Sequence, residues 1–375
     1  MILLCRSGRN LAAFSTFLLL IVFGSSAFAQ RTIHVPEDAP SVQQAIDQAS
    51  DGDTVSIEPG TYHENIEFRG KAITVKGAVA ANATILDGSA QAAVVTFNTG
   101  EGRSSVLSNL TLQDGAPATI PEGGGISING ASPTIINNTI RNNFGCGIGS
   151  FNGAPLIQGN LITGTTWGDM QGCEGTQGIS SALPAQGSGV LLSGYSEDGQ
   201  QAQVIGNTIQ NNTGHFSPGG VYLTDAGTPL IQNNIINKNQ SDYNSAILAL
   251  GDVAPAIVQN LLYDNLTDAS HLINPAVGDT AAVVLAPTNG AFRNSPSIVA
   301  SNTIAFNRDT NLPYPAQPGT QMLLSGYYDH VQVTNNVIVA DGPRSAISCD
   351  QQVTPPVSAP KFDHNDVYID RKSVV

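Results

Sequence analysis

Positive charge is scarce in this chain. Fifteen Lys and Arg stand against 29 Asp and Glu in 375 residues, a formal net charge of −14. So few cations leave little to grip a phosphate backbone or an anionic lipid, which excludes nucleic acid and acidic membrane surfaces as partners. The same shortage weighs against acidic polysaccharide unless calcium bridges the two; no other cofactor is indicated, and a metal site is left open. Apolar runs long enough to span a bilayer are missing after the first 29 residues. There is no H-E-x-x-H, C-x-x-C, G-x-S-x-G or P-loop, so zinc peptidase, thiol oxidoreductase, α/β-hydrolase and nucleotide chemistry are set aside.

The single long apolar run, Leu11 to Phe23, follows Arg6 and Arg9 and precedes Ala27-Phe28-Ala29. That is the pattern of a cleaved secretory signal over residues 1–29, and it predicts a periplasmic, secreted or cell-surface protein. Cleavage removes two arginines and takes the net charge from −14 to −16. With no linker-like composition break, residues 30–375 read as one domain, divided into 30–115 and 116–375. Cys146 and Cys173 are a candidate disulfide in an oxidising compartment. Cys349 reads as a small buried residue at an inward position.

What is abundant is asparagine in a recurring context. Asn109, Asn138, Asn160, Asn207, Asn234, Asn260, Asn302, Asn336 and Asn365 each sit between short apolar runs. Repeats at a spacing of a few tens of residues, built from strand-like segments, predict a β-solenoid. Each coil after about residue 120 reads as three strands, the first introduced by a small residue, as in GGGISI, GCGIGS and GSGVLL. The asparagines are expected to stack at one corner, each amide donating and accepting. The fold expected is therefore all-β: a right-handed three-stranded parallel β-helix. A short N-terminal capping helix at Ser41–Ser50 is expected from Val42, Ala45, Ile46 and Ala49 at helical spacing. The last repeat ends close to Val375 with no helix or polar cap, which leaves three expectations open: the final segment folds over the end, the sequence is truncated, or the end is a surface for contact with another protein.

The opening stretch, TIHV and SVQQAIDQASDGDTVSIEPGTYHENI through KAITVKGA, resembles the start of exported right-handed parallel β-helix proteins, among them pectin methylesterases. The later coils are similar to the repeat of pectate lyases and related carbohydrate-active proteins. The resemblance covers nearly all of the chain after the signal and implies the fold. The QDT and DFIFG motifs of pectin methylesterase and the NTD, DD, GHG and RIK motifs of polygalacturonase do not occur. GTYHEN is expected to be a turn, with Tyr62 and Glu64 covering the first coil.

In pectate lyase relatives substrate crosses the outward face of the first strand. Alternation predicts that face here to be Ser127, Gly149, Leu191, Tyr222, Leu248, Val284, Leu323 and Ser348. The row lacks both an acidic cluster for calcium and a basic residue for β-elimination, which counts against a standard polyuronate lyase. The surplus loops offer another set. Asp169, Glu174, His215 and Asp225 are candidate catalytic groups, since paired carboxylates can split a glycosidic bond. Trp167, Tyr222, His271, Arg308 and Tyr314 are candidate substrate contacts. Tyr327 to His330 echo Gly194 to Asp198, which favours a structural turn for both. Three readings stay open: recognition of an extracellular or envelope polysaccharide, cleavage of one by a hydrolase or atypical lyase, and a non-catalytic adhesion scaffold.

Overall fold

The computed structural model describes residues 30–116, 123–166, 188–215, 217–241, 244–268, 281–287, 291–292, 295–309, 320–325, 330–341, 345–350 and 360–370. Three long parallel sheets account for most of them. Sheet I has twelve strands, from Thr32–Val35 to Lys361–Asp363. Sheet II has eleven, from Gly60–Tyr62 to Asp366–Asp370, and sheet III has ten, from Ile66–Glu67 to Ile347–Asp350. The chain visits sheets I, II and III in turn, and each visit pairs with the strand one coil away. Leu156–Gln158, Leu161–Thr163 and Ser188–Ser193 make one such coil. Arg31–Val375 forms one compact unit.

Alternation along the strands explains the core. Ile135, Ile157, Val204 and Ile231 occupy one register position in sheet I, and Ile140, Ile162, Ile209 and Ile236 one in sheet II; all are fully buried. Burying each such side chain is worth about 1.5–3 kcal/mol, an upper figure because the unfolded chain is partly collapsed. β-Branched side chains suit these stacks, being stiff and packing well on a pleated surface.

At the corner between sheets I and II, Asn138, Asn160, Asn207, Asn234, Asn260, Asn302, Asn336 and Asn365 form a continuous ladder. In each rung the backbone N–H and Nδ2 both donate to Oδ1 of the next, as from Asn207 to Asn234 at 2.9 and 3.0 Å. Nδ2 also donates to a core carbonyl, Ile157 for Asn207. Asn109 is not a rung. It takes the left-handed turn position, φ 56°, and buried Leu110 fills the rung, its N–H donating to Asn138 Oδ1. The inward residue lies two positions after every rung, which selects Leu110 ahead of Leu112 and leaves Asn109 out of phase.

A second ladder, unforeseen from the sequence, lies five residues further on, between sheets II and III. It comprises Asn143, Thr165, Asn212, Asn239, Asn265 and Asn307. Its end is closed by Gln321, whose Oε1 accepts from Asn307 Nδ2 and whose Nε2 donates to the Asn307 carbonyl, each at 2.9 Å. The small residues that introduce sheet III strands are set by close approach of the next coil's backbone, the Gly147 carbonyl oxygen lying nearest to a Cβ at Gly125, together with the neighbouring core and ladder side chains. A Cβ at Gly125 would lie 2.7 Å from Ile140 Cγ2 and 3.0 Å from Asn143 Nδ2, and Gly147 and Gly220 are similarly crowded. Just after this ladder, Thr213–Gly214, Gln240–Ser241, Leu266–Thr267 and Arg308–Asp309 form a small fourth sheet along the corner.

The helix Val42–Gln48 is too short to stand alone. It buries Val42, Ala45 and Ile46, and Ser41 Oγ accepts from Gln44 N. The first coils hold both ends. Glu64 accepts from the backbone N–H groups of Val42 and Gln43, at 2.9 and 3.0 Å. Lys71 Nζ donates to the carbonyls of Ile46, Asp47 and Ala49. Each charge suits the helix end it meets. Gly60–Tyr62 of GTYHEN is thus the first strand of sheet II, and Glu64 is a helix cap.

At the other end, Phe362, Val367 and Cys349 share register with the buried Val333, Ile338 and Leu324. Phe362 and Val367 are 46% and 49% exposed, and Cys349 is exposed too, because theirs are the last strands of the three sheets. Cys349 is inward as expected but not buried.

Candidate functional site

The outward row of sheet III runs in register through Ser127, Gly149, Leu191, Tyr222, Leu248, Val284, Leu323 and Ser348. Leu248, Val284 and Leu323 pack with Ala281, Tyr222 and Ala286 into an apolar cluster apart from the core. Leu191, Leu248, Val284 and Leu323 are 8% exposed or less, so the chain itself covers this strip. Burial pushes the Tyr222 hydroxyl above its ordinary range; a hydrogen bond with the Thr224 side chain offsets part of this, and the Asp225 carboxylate adds to it.

The candidate residues divide between the two ends of this sheet. His215 follows Thr213–Gly214 at the fourth-sheet corner, where exposed Arg308 also lies, three strands away. Tyr222 lies within Val221–Thr224, and Asp225 follows it at the opposite end. At about 3.3 Å rise per residue, that strand keeps His215 and Asp225 more than about 13 Å apart. Asp225 also has a structural task. It sits in the left-handed region, φ 50°, and its Oδ1 accepts from Asp252 N at 2.7 Å. Asp169, Glu174, Trp167, His271, Tyr314 and Cys173 lie outside the described residues, as do Tyr327 to Asp329. Cys146 is buried in the first row of its strand. Among the described residues no three His, Cys, Asp or Glu side chains are grouped to hold a metal ion.

The Asp225 end opens into a cleft of about 180 Å³ between the turns that lead from sheet III to sheet I. Tyr195 and Phe292 wall it, edge to face, with ring centroids 4.9 Å apart and planes at 83°. Gly227, φ 67°, forms the floor; a Cβ there would come within 3.1 Å of Tyr195 and 3.3 Å of the Phe292 ring. Ser196, Glu197, Gln200, Gln201 and Thr228 supply polar lining.

Hydrogen bonds set this geometry. Asp252 accepts from Ala291 N and Phe292 N, at 2.9 and 2.8 Å, and so fixes the Phe292 wall. Asp198 accepts from Ser196 Oγ and Gln200 N, which close the opposite turn and hold its carboxyl below the ordinary value. Arg103 Nη2 donates to the Gln201 carbonyl at 2.8 Å, and Gln201 Nε2 donates to Thr228 O. Gly194 to Asp198 is thus a turn, as its echo suggested, and also a cleft wall.

A second cluster missed in the sequence lies on sheet II near the N-terminal end. Asp87, Gln113 and Arg141 are register neighbours pointing outward. Gln113 Nε2 donates to Asp87 Oδ2 at 2.9 Å, and Arg141 Nη2 donates to Gln113 Oε1 at 2.8 Å. His63 Nδ1 lies 3.6 Å from Asp87 Oδ1. Burial, the charge of Asp87 and a hydrogen bond with it hold the Asp114 carboxyl above its ordinary value. Burial pushes Asp87 up as well, but hydrogen bonds from Gln113 and Ser89 and the nearness of His63 outweigh it, and its value falls.

Residues 124–285 match the family model described as the right handed beta helix region. This chain is a right-handed parallel β-helix. No curated protein matches it. Among solved structures, the β-helix is similar to a mutant pectin methylesterase in complex with a hexasaccharide (12% identity, 83% of this chain and 79% of that one, TM-score 0.35). It is also similar to the pectin methylesterase of Aspergillus niger (10% identity, 91% and 85%, TM-score 0.30). The registers of the β-helix itself, rather than these distant similarities, establish its architecture.

Proposed function

We propose that this β-helix is exported and recognises a polysaccharide through the cleft walled by Tyr195 and Phe292. The observation that carries the reading is the pairing of two aromatic walls with amide, hydroxyl and carboxylate groups in one solvent-facing corner. Aromatic faces pack on the C–H faces of sugars, while planar polar groups bond the hydroxyls. The volume suits a single sugar ring, well below the 300–1,000 Å³ or so of drug-sized pockets. The carboxylates of the cleft also fit binding better than turnover. Asp225, Asp252 and Asp198 each accept backbone N–H bonds, and the lowered Asp198 is unsuited to a general acid. Affinity electrophoresis through gels containing individual polysaccharides tests the proposal. The intact protein should be retarded by at least one glycan and Tyr195→Ala by none. Equal retardation of both would place recognition elsewhere.

The Asp87–Asp114 pair favours a second reading, hydrolysis. One carboxyl held low beside another held high is the pattern of a base and an acid. In that reading Asp114 donates a proton to the leaving oxygen, the Asp87 carboxylate stabilises the positive charge developing on the sugar, and water adds to the sugar and returns a proton to Asp114. New reducing ends from a glycan, lost in a folded Asp114→Asn variant, would establish it; no product from a broad panel would remove it.

A further inference from the structure

The cleft's charges reach beyond binding to the kind of glycan bound, an inference that rests on the Tyr195–Phe292 reading. Glu197 lines the cleft, Asp198 adjoins it, and Asp225 and Asp252 hold its far wall. Asp198 is fixed by Ser196 and Gln200 as an anion. The cation alongside, Arg103, is half-buried behind the lining and spends a donor on the Gln201 carbonyl. A polyuronate or sulfated chain crossing this corner would bring a row of like charges against the exposed Glu197 and Asp198 carboxylates, a repulsion that salt screens. A neutral sugar meets no such penalty. Its hydroxyls can donate to the Glu197 carboxylate and exchange bonds with the Gln200 amide, acceptors and donors an anion would use less well.

We propose that the cleft selects neutral glycans against acidic ones, with Glu197 as the discriminating group and Asp252 as a positioning residue that holds the Phe292 wall. The Phe292 turn depends on two bonds to one carboxylate, so losing Asp252 should act on binding much as losing the ring does.

A matched pair of polymers tests the proposal: polygalacturonate, and the same polymer with its carboxyl groups reduced to hydroxymethyl groups. Binding is measured by affinity electrophoresis beside neutral and acidic panels, each in chelator and in calcium. The expected result is that the reduced polymer or another neutral glycan binds at least tenfold tighter than any acidic one. Glu197→Gln should narrow that ratio, raising acidic binding by more than it lowers neutral binding, because it removes the charge but keeps one acceptor oxygen. Asp252→Ala and Phe292→Ala should weaken neutral binding alike, with unchanged circular dichroism. Tighter binding of an acidic polymer, with or without calcium, would overturn the selectivity while leaving glycan recognition standing. Binding by no polymer would overturn both.

Discussion

The second ladder gives the sharpest test of how the coils are held together. Asn239 is fully buried, and its amide makes four bonds: Oδ1 accepts from Asn212 N and Nδ2 at 3.1 and 3.0 Å, and Nδ2 donates to Ile209 O and Asn265 Oδ1 at 2.9 and 3.0 Å. In Asn239→Ala the Asn212 N–H loses its acceptor, and the Ile209 carbonyl loses the amide. Asn212 Nδ2 keeps Ile162 O, and Asn265 Oδ1 keeps Asn239 N. The Ile209 carbonyl keeps the sheet bond that its register gives it with Asn237 N, so one buried N–H is left without a partner and the loss should be about 1–3 kcal/mol, plus the cost of the emptied space. Asn211→Ala, one coil back on the exposed side of the same corner, gives the scale of a turn effect. It puts alanine at φ 54° and should cost about 1–2 kcal/mol. Urea unfolding followed by circular dichroism reads both, provided the slopes match, since a solenoid can unfold in parts. An Asn239→Ala loss below about 1 kcal/mol, or equal to that of Asn211→Ala, would refute the claim that the buried amides join the coils.

Gln321→Leu should destabilise by about 1–3 kcal/mol in the same assay, because it strips the final rung from Asn307. Phe306 is half-exposed at φ 55°, so Phe306→Gly should raise the urea midpoint by relieving left-handed strain. Asp53 has its carboxyl lowered to about 2, first by the Arg31 side chain and then by the Ser50 and Arg31 backbone N–H groups. Its folded value lies below its unfolded one, so its contribution is complete above about pH 4 and fades as pH falls toward 2. Asp53→Asn should flatten stability across that window. Asp114 carries the opposite sign: its raised carboxyl costs stability as pH climbs past the unfolded value, so Asp114→Asn should raise the urea midpoint at pH 7 relative to pH 4.

Much of the architecture was legible because the β-helix repeats one inside–outside alternation in every coil. The same alternation that buries Ile135 and Ile157 placed Tyr222, Leu248 and Val284 on one outward row. The helix was legible from Val42, Ala45 and Ile46, whereas its caps were not, since Glu64 and Lys71 reach it from later coils. The second ladder left a signal in the sequence, an N-x-x-x-x-N spacing from Asn207 to Asn212 and from Asn260 to Asn265, but Thr165 interrupts it. The cleft was hidden for a different reason. Tyr195 and Phe292 are almost a hundred residues apart and meet only because coils stack and Asp252 pins the later turn. Asp87 and Asp114 likewise look like ordinary turn residues until consecutive coils bring them together.

Hydrogen–deuterium exchange with and without the glycan that retards the protein most tests the central claim directly. Slowed exchange is expected at residues 195–202, 226–228 and 291–292, and is lost in Tyr195→Ala. Protection confined to residues 213–215, 266–268 and 308–309 would instead put recognition on the His215–Arg308 edge and contradict the cleft.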